Sequence, residues 1–453
     1  MKKIALVVPR SYNPKRTYSE YPLGVGYIGT LLKDAGYEVR IFDQNLEFRN
    51  NKRLVEELDK YAPFLIGFSI ITPTYPTAKE IIDLLKADGC ESHLIAGGVH
   101  ATLFPKDLVE DGFDIVMKGE GETIIVPLAK NLETGKSIID FPGIVYRDND
   151  RIMENNKKQI LTDVNELPLI DRSIYNLDLY THHSMVGSRG CPYKCKFCCN
   201  YSGVMLNKGF SVRCVENVIQ EMIYINQHYG AKNIFFVDDI FLLKKSRILE
   251  FCNSIIEKDF NISWIGQMRV DTIDEEIAYK LKEANCEKIY FGVESGSNKI
   301  LTNIGKRFNR NKIIQGIRYA KEAGLRVKTG WVYGLPGDLK EQYKSISLML
   351  ETKPNEISIH QLIPFPGTEY YNNPSKYGIN IADPKDFKEF CYGGLNRNIS
   401  FDYLSQSQYL KLLEDTIDSL NKAGYVSSDQ SKGGSDYIYT TPLNKYSITE
   451  FDK

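Results

Sequence analysis

Apolar strand-like runs alternate with amphipathic stretches twice along this chain, first between residues 3 and 135 and again from Met185 to about residue 362. In the first series Lys3–Pro9, Glu38–Asp43, Leu65–Ile71, His93–Gly97 and Asp114–Lys118 read as strands, with helices over Gly26–Ala35 and Ala78–Ala87. Continuous apolar strands separated by helices indicate a parallel, doubly wound (Rossmann-like) α/β sheet, because helices must cover both of its faces. In the second series the strands are Met185–Ser188, Asn233–Val237, Ser263–Met268, Lys288–Val293, Arg326–Val332 and Glu356–Leu362. Helices over 215–229, 244–258, 274–285, 310–323 and 338–352 lie between them. Six such units predict a partial (β/α)6 barrel. Sheets of both kinds bind ligands beyond the carboxyl ends of their strands.

The 453 residues allow about three domains at roughly 150 residues each. The periodicity divides them into a first domain at 1–135, a linker at 136–180, the barrel at 181–385 and a small α-rich extension at 386–453. Asp163 to Pro168 reads as a linker closing over the first domain. In the extension a helix over Ser405–Ala423 precedes a Gly-, Ser- and Tyr-rich tail, expected to cover the open side of the barrel and help form a substrate pocket. A net charge of −1 points to neither nucleic acid nor an anionic membrane as partner. No apolar run reaches roughly 18 residues, so no transmembrane helix is expected. Lys2-Lys3 followed by Ile4 to Val8 is too short for a signal peptide and is cut by Pro9-Arg10.

Five of the nine cysteines crowd between Cys191 and Cys214, while Cys90, Cys252, Cys286 and Cys391 are scattered and read as small core residues. That distribution is not a disulfide framework and suits a reducing cytoplasm. Cys191, Cys195 and Cys198 have the spacing Cys-x3-Cys-x2-Cys directly after the first strand of the second series. Thiolates select iron–sulfur clusters or zinc. Zinc wants four ligands, and no second pair follows at a matching spacing, although Cys199 or Cys214 offers a fourth sulfur. A 4Fe-4S cluster on three cysteines keeps one iron open.

The spacing, with the aromatic Phe197 before its last cysteine, resembles the cluster loop of radical S-adenosylmethionine (SAM) enzymes. The resemblance implies that Cys191, Cys195 and Cys198 hold a 4Fe-4S cluster whose open iron is chelated by SAM. Polar residues at successive strand ends then become candidates for the remaining groups of SAM. Asp238 or Asp239 is a candidate for its ammonium, Glu294 in Gly-Val-Glu-Ser-Gly for its ribose, and Phe197 with the loop after Leu362 for its adenine. Arg269 or Arg213 is a candidate for its carboxylate, against a bland ion-pair reading that is the better one for both arginines. For the acids the competing reading is an N-cap or a surface ion pair.

In the first series Tyr21-Pro22-Leu23-Gly24, Gly97-Gly98-Val99-His100-Ala101-Thr102 and Gly119-Glu120-Gly121-Glu122 occur in an order that resembles the cobalamin-binding domain of one radical SAM subfamily. By that resemblance Pro22, Leu23, Ser69, Thr72, Gly97, Gly98, His100, Ala101, Thr102, Gly119 and Glu120 are the candidate cobalamin contacts. The family's alternative Asp-x-His-x-x-Gly cobalt-ligand motif is absent, since no histidine has an Asp two positions before it. His100 is therefore read as a wall or structural residue, and Glu120 and Glu122 also fit a solvated turn.

The resemblance implies a cobalamin-dependent radical SAM enzyme that places a methyl group on an unactivated carbon of a small-molecule or peptide substrate. The alternative outcome is cyclisation or rearrangement without net methyl transfer. An electron donor such as flavodoxin or ferredoxin is the implied partner. Methylthio transfer needs a second cluster on N-terminal cysteines, and Cys90 is the only cysteine before Cys191. A purely redox or metal-binding module leaves the polar strand ends without a purpose.

Overall fold

Lys3–Val8, one lysine followed by five apolar residues, forms a buried first strand, β1. Around it lie β2 (Glu38–Asp43), β3 (Leu65–Ser69), β4 (His93–Gly97) and β5 (Ile115–Met117), all parallel, in the spatial order β2-β1-β3-β4-β5. That order reverses direction between β1 and β3, the position at which doubly wound sheets open a crevice for a ligand. The computed structural model describes the chain apart from residues 13–20, 158–162, 181, 200–209, 260, 391–395, 428–436 and 441–453. Two units make up the chain, Met1–Thr181 and a second that begins at His182.

In the first unit the strands are separated by α1 (Leu23–Asp34), α2 (Asn51–Tyr61), α3 (Tyr75–Ala87), α4 (Val99–Leu103) and α5 (Pro105–Glu110), with α6 (Ile125–Glu133) after β5. Val7, Phe42, Leu54, Phe68, Ile81 and Leu94 are packed in one core of the sheet and its helices. Each fully buried side chain of this size stabilises by about 1.5–3 kcal/mol. α2 leaves little trace in the sequence, because its buried residues are only Leu54, Val55 and Leu58 among eleven. Its ends are nonetheless specified: Asn50 accepts a hydrogen bond from Arg53 N, and Ala62 closes the helix at φ 51°.

The stretch expected as a linker holds regular structure. Ile144–Asp148 (β6) and Arg151–Glu154 (β7) form a hairpin that extends the sheet antiparallel to β5. Beyond it, Val164, Leu167, Ile170 and Ile174 are buried. This strap lies along α1 because Gly26 and Gly29 leave room for it. A Cβ on Gly26 would stand 2.2 Å from the Tyr175 hydroxyl, and one on Gly29 would stand 2.6 Å from Ile174. Tyr175 donates to Pro22 O at 3.1 Å and Tyr180 to Asp43 at 2.9 Å, so the strap also holds the entrance of α1 and the end of β2.

In the second unit β8 (His183–Met185) begins a parallel series continued by β11 (Asn233–Phe236), β12 (Ser263–Met268), β13 (Cys286–Glu294), β14 (Arg326–Tyr333) and β15 (Glu356–Gln361). A two-stranded ribbon, β9 (Ser188–Arg189) and β10 (Ser211–Val212), follows β8. The covering helices are α7 (Val215–Tyr229), α8 (Lys245–Glu257), α9 (Glu275–Glu283), α10 (Asn298–Asn303), α11 (Arg310–Glu322) and α12 (Leu339–Thr352). Ser297, Asn309 and Asp338 cap the last three, each accepting from a backbone N–H in the first turn. This is the partial (β/α)6 barrel expected from the alternation.

The extension contains strands as well as helix. A short α13 (Glu369–Asn372) and β16 (Ile379–Ile381) come before it; β16 pairs with β17 (Ile399–Phe401) inside it, and α14 (Gln406–Lys422) follows. β18 (Val426–Ser427) and β19 (Tyr437–Thr440) join antiparallel at the β15 edge of the barrel sheet. Pairing covers that edge and removes its unpaired backbone groups from solvent. Cys391 and most of the Gly-, Ser- and Tyr-rich tail lie outside the described residues.

Candidate active site

The cysteine loop leaves the barrel sheet under tight backbone control. Both carboxylate oxygens of Asp238, at the end of β11, accept from Gly187 N at 3.1 and 3.0 Å, and Ser188 Oγ donates to the same group. Asp238 is buried, and burial pushes its carboxyl up to about 7 despite those bonds. Its oxygens are thus committed to bracing the strand exit. Neighbouring Asp239 is exposed, and its charge acts on Cys191 and Cys198. Gly190 turns the chain at φ 82° into Cys191.

A short turn that the sequence reading did not single out holds the loop from the other side. Lys196 N donates to Ile304 O at 3.0 Å, and a Cβ on Gly305 (φ 87°) would stand 3.1 Å from Lys194 O. Arg269, at the end of β12, stacks 3.7 Å above the Tyr193 ring and 4.9 Å from that of Phe308. Its guanidinium meanwhile grips Asp271 with two bonds of 2.9 Å. The arginine is therefore a clamp between the loop and the 304–308 turn, held by a bidentate pair. Arg213 is likewise committed, in a buried ion pair with Glu221 and a bond to Val186 O.

Glu294 closes the geometry at the end of β13. The pairing of β13 with β14 slips between Gly292 and Glu294, and Glu294 sits at φ 68°, a left-handed conformation costly for a non-glycine residue. Its carboxylate folds back over Gly292 and meets Lys306 Nζ at 2.9 Å; the same ammonium donates to Gly292 O at 3.0 Å. Burial works to lower the Lys306 pKa, yet Glu294 and Cys195 together raise it. Desolvation leads in pushing up the Cys191, Cys195 and Cys198 thiols, and Lys306 is a cation pulling each of them down. Cys198 is exposed at the loop surface, though its sulfur has enough protein around it for desolvation to dominate. Phe197 is half-buried between the last two cysteines. The donor set fits a cluster: three sulfurs on one pinned loop, with a buried cation beside them. Among the described residues no three His, Cys, Asp or Glu side chains close around a single-ion position.

In the first unit the candidate residues gather at the ends of β3, β4 and β5. Ser69 pairs with Gly97 in register. Gly98, at φ 100°, lets His100 N donate to Ile70 O at 3.0 Å. Thr102 Oγ1 donates to Gly98 O and accepts from Gly119 N, each at 2.9 Å, and so ties the loop after β4 to the loop after β5. His100 is fully buried, stacked 4.3 Å from Tyr75 and tilted against Phe104 at 4.9 Å, with Nδ1 3.2 Å from Thr72 Oγ1. Burial lowers its pKa to about 3, so the ring is neutral. Glu120 is 3 % exposed, which removes the solvated-turn reading for that residue. Ala101 and Leu23 are buried and Pro22 half-buried. An open cavity of about 760 Å³ lined by Arg10, Arg49, Asn51 and Glu80 includes none of these residues.

The B12 binding domain family matches residues 10–129 and the Radical SAM superfamily matches residues 185–349, together more than half of the chain. The chain belongs to the cobalamin-binding radical SAM enzymes. The cofactors of that family are a 4Fe-4S cluster, SAM and cobalamin, and the cysteine loop and the first-unit strand ends supply groups suited to them. A protein of Pyrococcus horikoshii named as an uncharacterized methyltransferase is 28 % identical over 382 residues, 82 % of each chain. An anaerobic magnesium-protoporphyrin IX monomethyl ester cyclase of Synechocystis sp. is 24 % identical over 379 residues, 80 % of this chain and 74 % of that one. Among solved structures, the radical SAM methyltransferase TsrM of Kitasatospora setae, with tryptophan and a SAM analogue bound, aligns at TM-score 0.70. The alignment covers 98 % of this chain and 86 % of that one at 17 % identity, a likeness of fold. Among the described residues no helix is long and apolar enough to cross a membrane.

Proposed function

We propose that this cobalamin-dependent radical SAM enzyme is a methyltransferase acting on an unactivated carbon of a small molecule or peptide. The observation that carries the reading is a pinned three-cysteine loop at the strand ends of a barrel, in a chain that also has a B12 binding domain. When bound, the cluster supplies an electron that cleaves SAM, and cobalamin carries the methyl group. The chain's own residues hold and orient these groups. Cys191, Cys195 and Cys198 bind iron. Glu294 accepts from the ribose hydroxyls, Asp239 from the SAM ammonium, and Phe197 flanks the adenine. Asp238 and Arg269 keep the loop in place rather than touching SAM. In the first unit Gly97, Gly98, Ala101, Thr102, Gly119 and Glu120, with Ser69, Thr72, Pro22 and Leu23, line the cobalamin site, and His100 backs it as a neutral ring.

A flavodoxin or ferredoxin serves as electron donor in this reading, and the reducing cytoplasm is the compartment. The cyclase-named relative favours one second outcome on the same cofactors, ring formation without methyl transfer. Anaerobic reconstitution with iron, sulfide and hydroxocobalamin tests the cofactors. Electronic and electron paramagnetic spectra are expected to report both, and C195A should lose the cluster signal alone. SAM carrying a labelled methyl group then separates the outcomes: label in the product supports transfer, and 5′-deoxyadenosine without it supports cyclisation. Zinc at the three thiols and no 5′-deoxyadenosine would end the proposal.

A further inference from the structure

We propose that Lys306 is a positioning residue of the cluster site: it fixes Glu294 at the end of β13 and sets a buried positive charge beside the cluster thiolates, which governs how readily the cluster accepts an electron. The inference rests on the radical SAM reading and adds a residue outside the cysteine motif.

The geometry gives Lys306 three connections. Two donors of its ammonium are used on the strand end, by Glu294 Oε1 at 2.9 Å and Gly292 O at 3.0 Å. Its side chain is 8 % exposed, so its position is set by packing. The backbone of its own turn is bound to the cysteine loop through Ile304 O and the close approach of Gly305 to Lys194. Any movement of Lys306 is therefore felt both by Glu294 and by the loop.

Stability alone does not account for the lysine. A buried ion pair brings little net stabilisation compared with apolar residues of the same size, because desolvation offsets the attraction. A charge acting on Cys191, Cys195 and Cys198 together has a different use. One-electron reduction adds negative charge to a cluster already carrying three thiolates. A fixed cation beside them stabilises the reduced form, and its effect is large where water is excluded. Arg269 also faces Cys195, but its fork is locked on Asp271. Lys306 and Glu294 thus form a neutral pair whose two members act on the cluster in opposite senses.

The test uses full-length protein reconstituted anaerobically, with K306M, K306R and E294Q beside the wild type. Redox titration followed by the reduced-cluster paramagnetic signal reads the potential without reference to turnover, and equilibrium binding reads SAM affinity. K306M leaves Glu294 unneutralised and is expected to make reduction about tenfold less favourable, which is about 59 mV for one electron. E294Q is expected to shift the potential the other way. K306R should stay near wild type, and SAM should bind about tenfold more weakly to K306M and E294Q. If K306M and E294Q move the potential in the same direction, or both match wild type, the proposal is overturned although the family reading stands. Should K306M not retain a cluster, E294Q decides: a positive shift supports the proposal and no shift refutes it. A wild-type protein that assembles no 4Fe-4S cluster overturns the underlying reading, and this proposal with it.

Discussion

Replacing Gly98 with alanine should damage the first unit far more than the same change one residue earlier. Gly98 lies at φ 100° and ψ −174°, a region open essentially to glycine alone, and holding alanine there costs about 1–3 kcal/mol. The new methyl would also stand 2.7 Å from Ile70 O and 3.0 Å from Ile70 N. That backbone cannot step aside cheaply, because Ile70 N donates to Gly97 O at 2.9 Å and Ile70 O accepts from His100 N at 3.0 Å. Forcing extra volume into such a contact adds about 1–3 kcal/mol. The total of roughly 2–6 kcal/mol is a large part of the 5–15 kcal/mol that domains of this kind possess. For a unit of this size it lowers the melting temperature on the order of 10 °C. At Gly97 the nearest atom to an added Cβ is Met117 Cε at 3.8 Å, and G97A should be neutral or slightly stabilising. Both tryptophans, Trp264 and Trp331, belong to the second unit, so their fluorescence follows that unit while circular dichroism follows both. G98A should bring an early dichroism transition, leave the tryptophan transition unmoved and weaken hydroxocobalamin binding. If G98A melts within about 2 °C of G97A, the close-approach argument is wrong.

Three further outcomes follow from the same geometry. His100 has a folded pKa of about 3 against 6.5 for the free side chain, so its contribution to stability is complete above pH 6.5 and is lost as the pH falls. At pH 5 the loss amounts to about 2 kcal/mol, and H100Q should flatten the pH dependence of first-unit melting in that window. T102V removes the acceptor of Gly119 N and the donor to Gly98 O. It should cost about 1–3 kcal/mol and lower cobalamin affinity, as titrations of hydroxocobalamin would show. R269K cannot reproduce the fork on Asp271 or the flat stack on Tyr193. Severalfold less iron should survive gel filtration of the reconstituted variant, with the melting of the second unit little changed.

The strands of both sheets were readable because fully buried parallel strands are runs of apolar residues. β2, β4 and β12 fall on the residues expected. Short elements escaped for the converse reason. The β6–β7 hairpin has too few residues on either side of Asn149 (φ 51°) to show a period, and α2 buries one narrow stripe. The cysteine loop announces itself because its chemistry demands one residue type at fixed spacing. Its support does not, since Arg269, Tyr193, Phe308 and Lys306 meet only after β12, the loop and the 304–308 turn have been brought together. Spacing cannot encode that meeting.

The two aspartates after β11 show what separates a legible acid from a correctly assigned one. Sequence places Asp238 and Asp239 equally at a strand end. Alternation then turns one inward, where Gly187 and Ser188 take both of its oxygens, and turns the other out, toward the thiols. A carboxylate whose lone pairs are already engaged by the scaffold has little left for a ligand, whatever its position along the chain. Strand ends therefore identify where chemistry is possible, and hydrogen-bond saturation decides which residue is available to perform it. By that criterion Glu294 has one oxygen committed to Lys306, which leaves it both positioned and able to accept from a ligand.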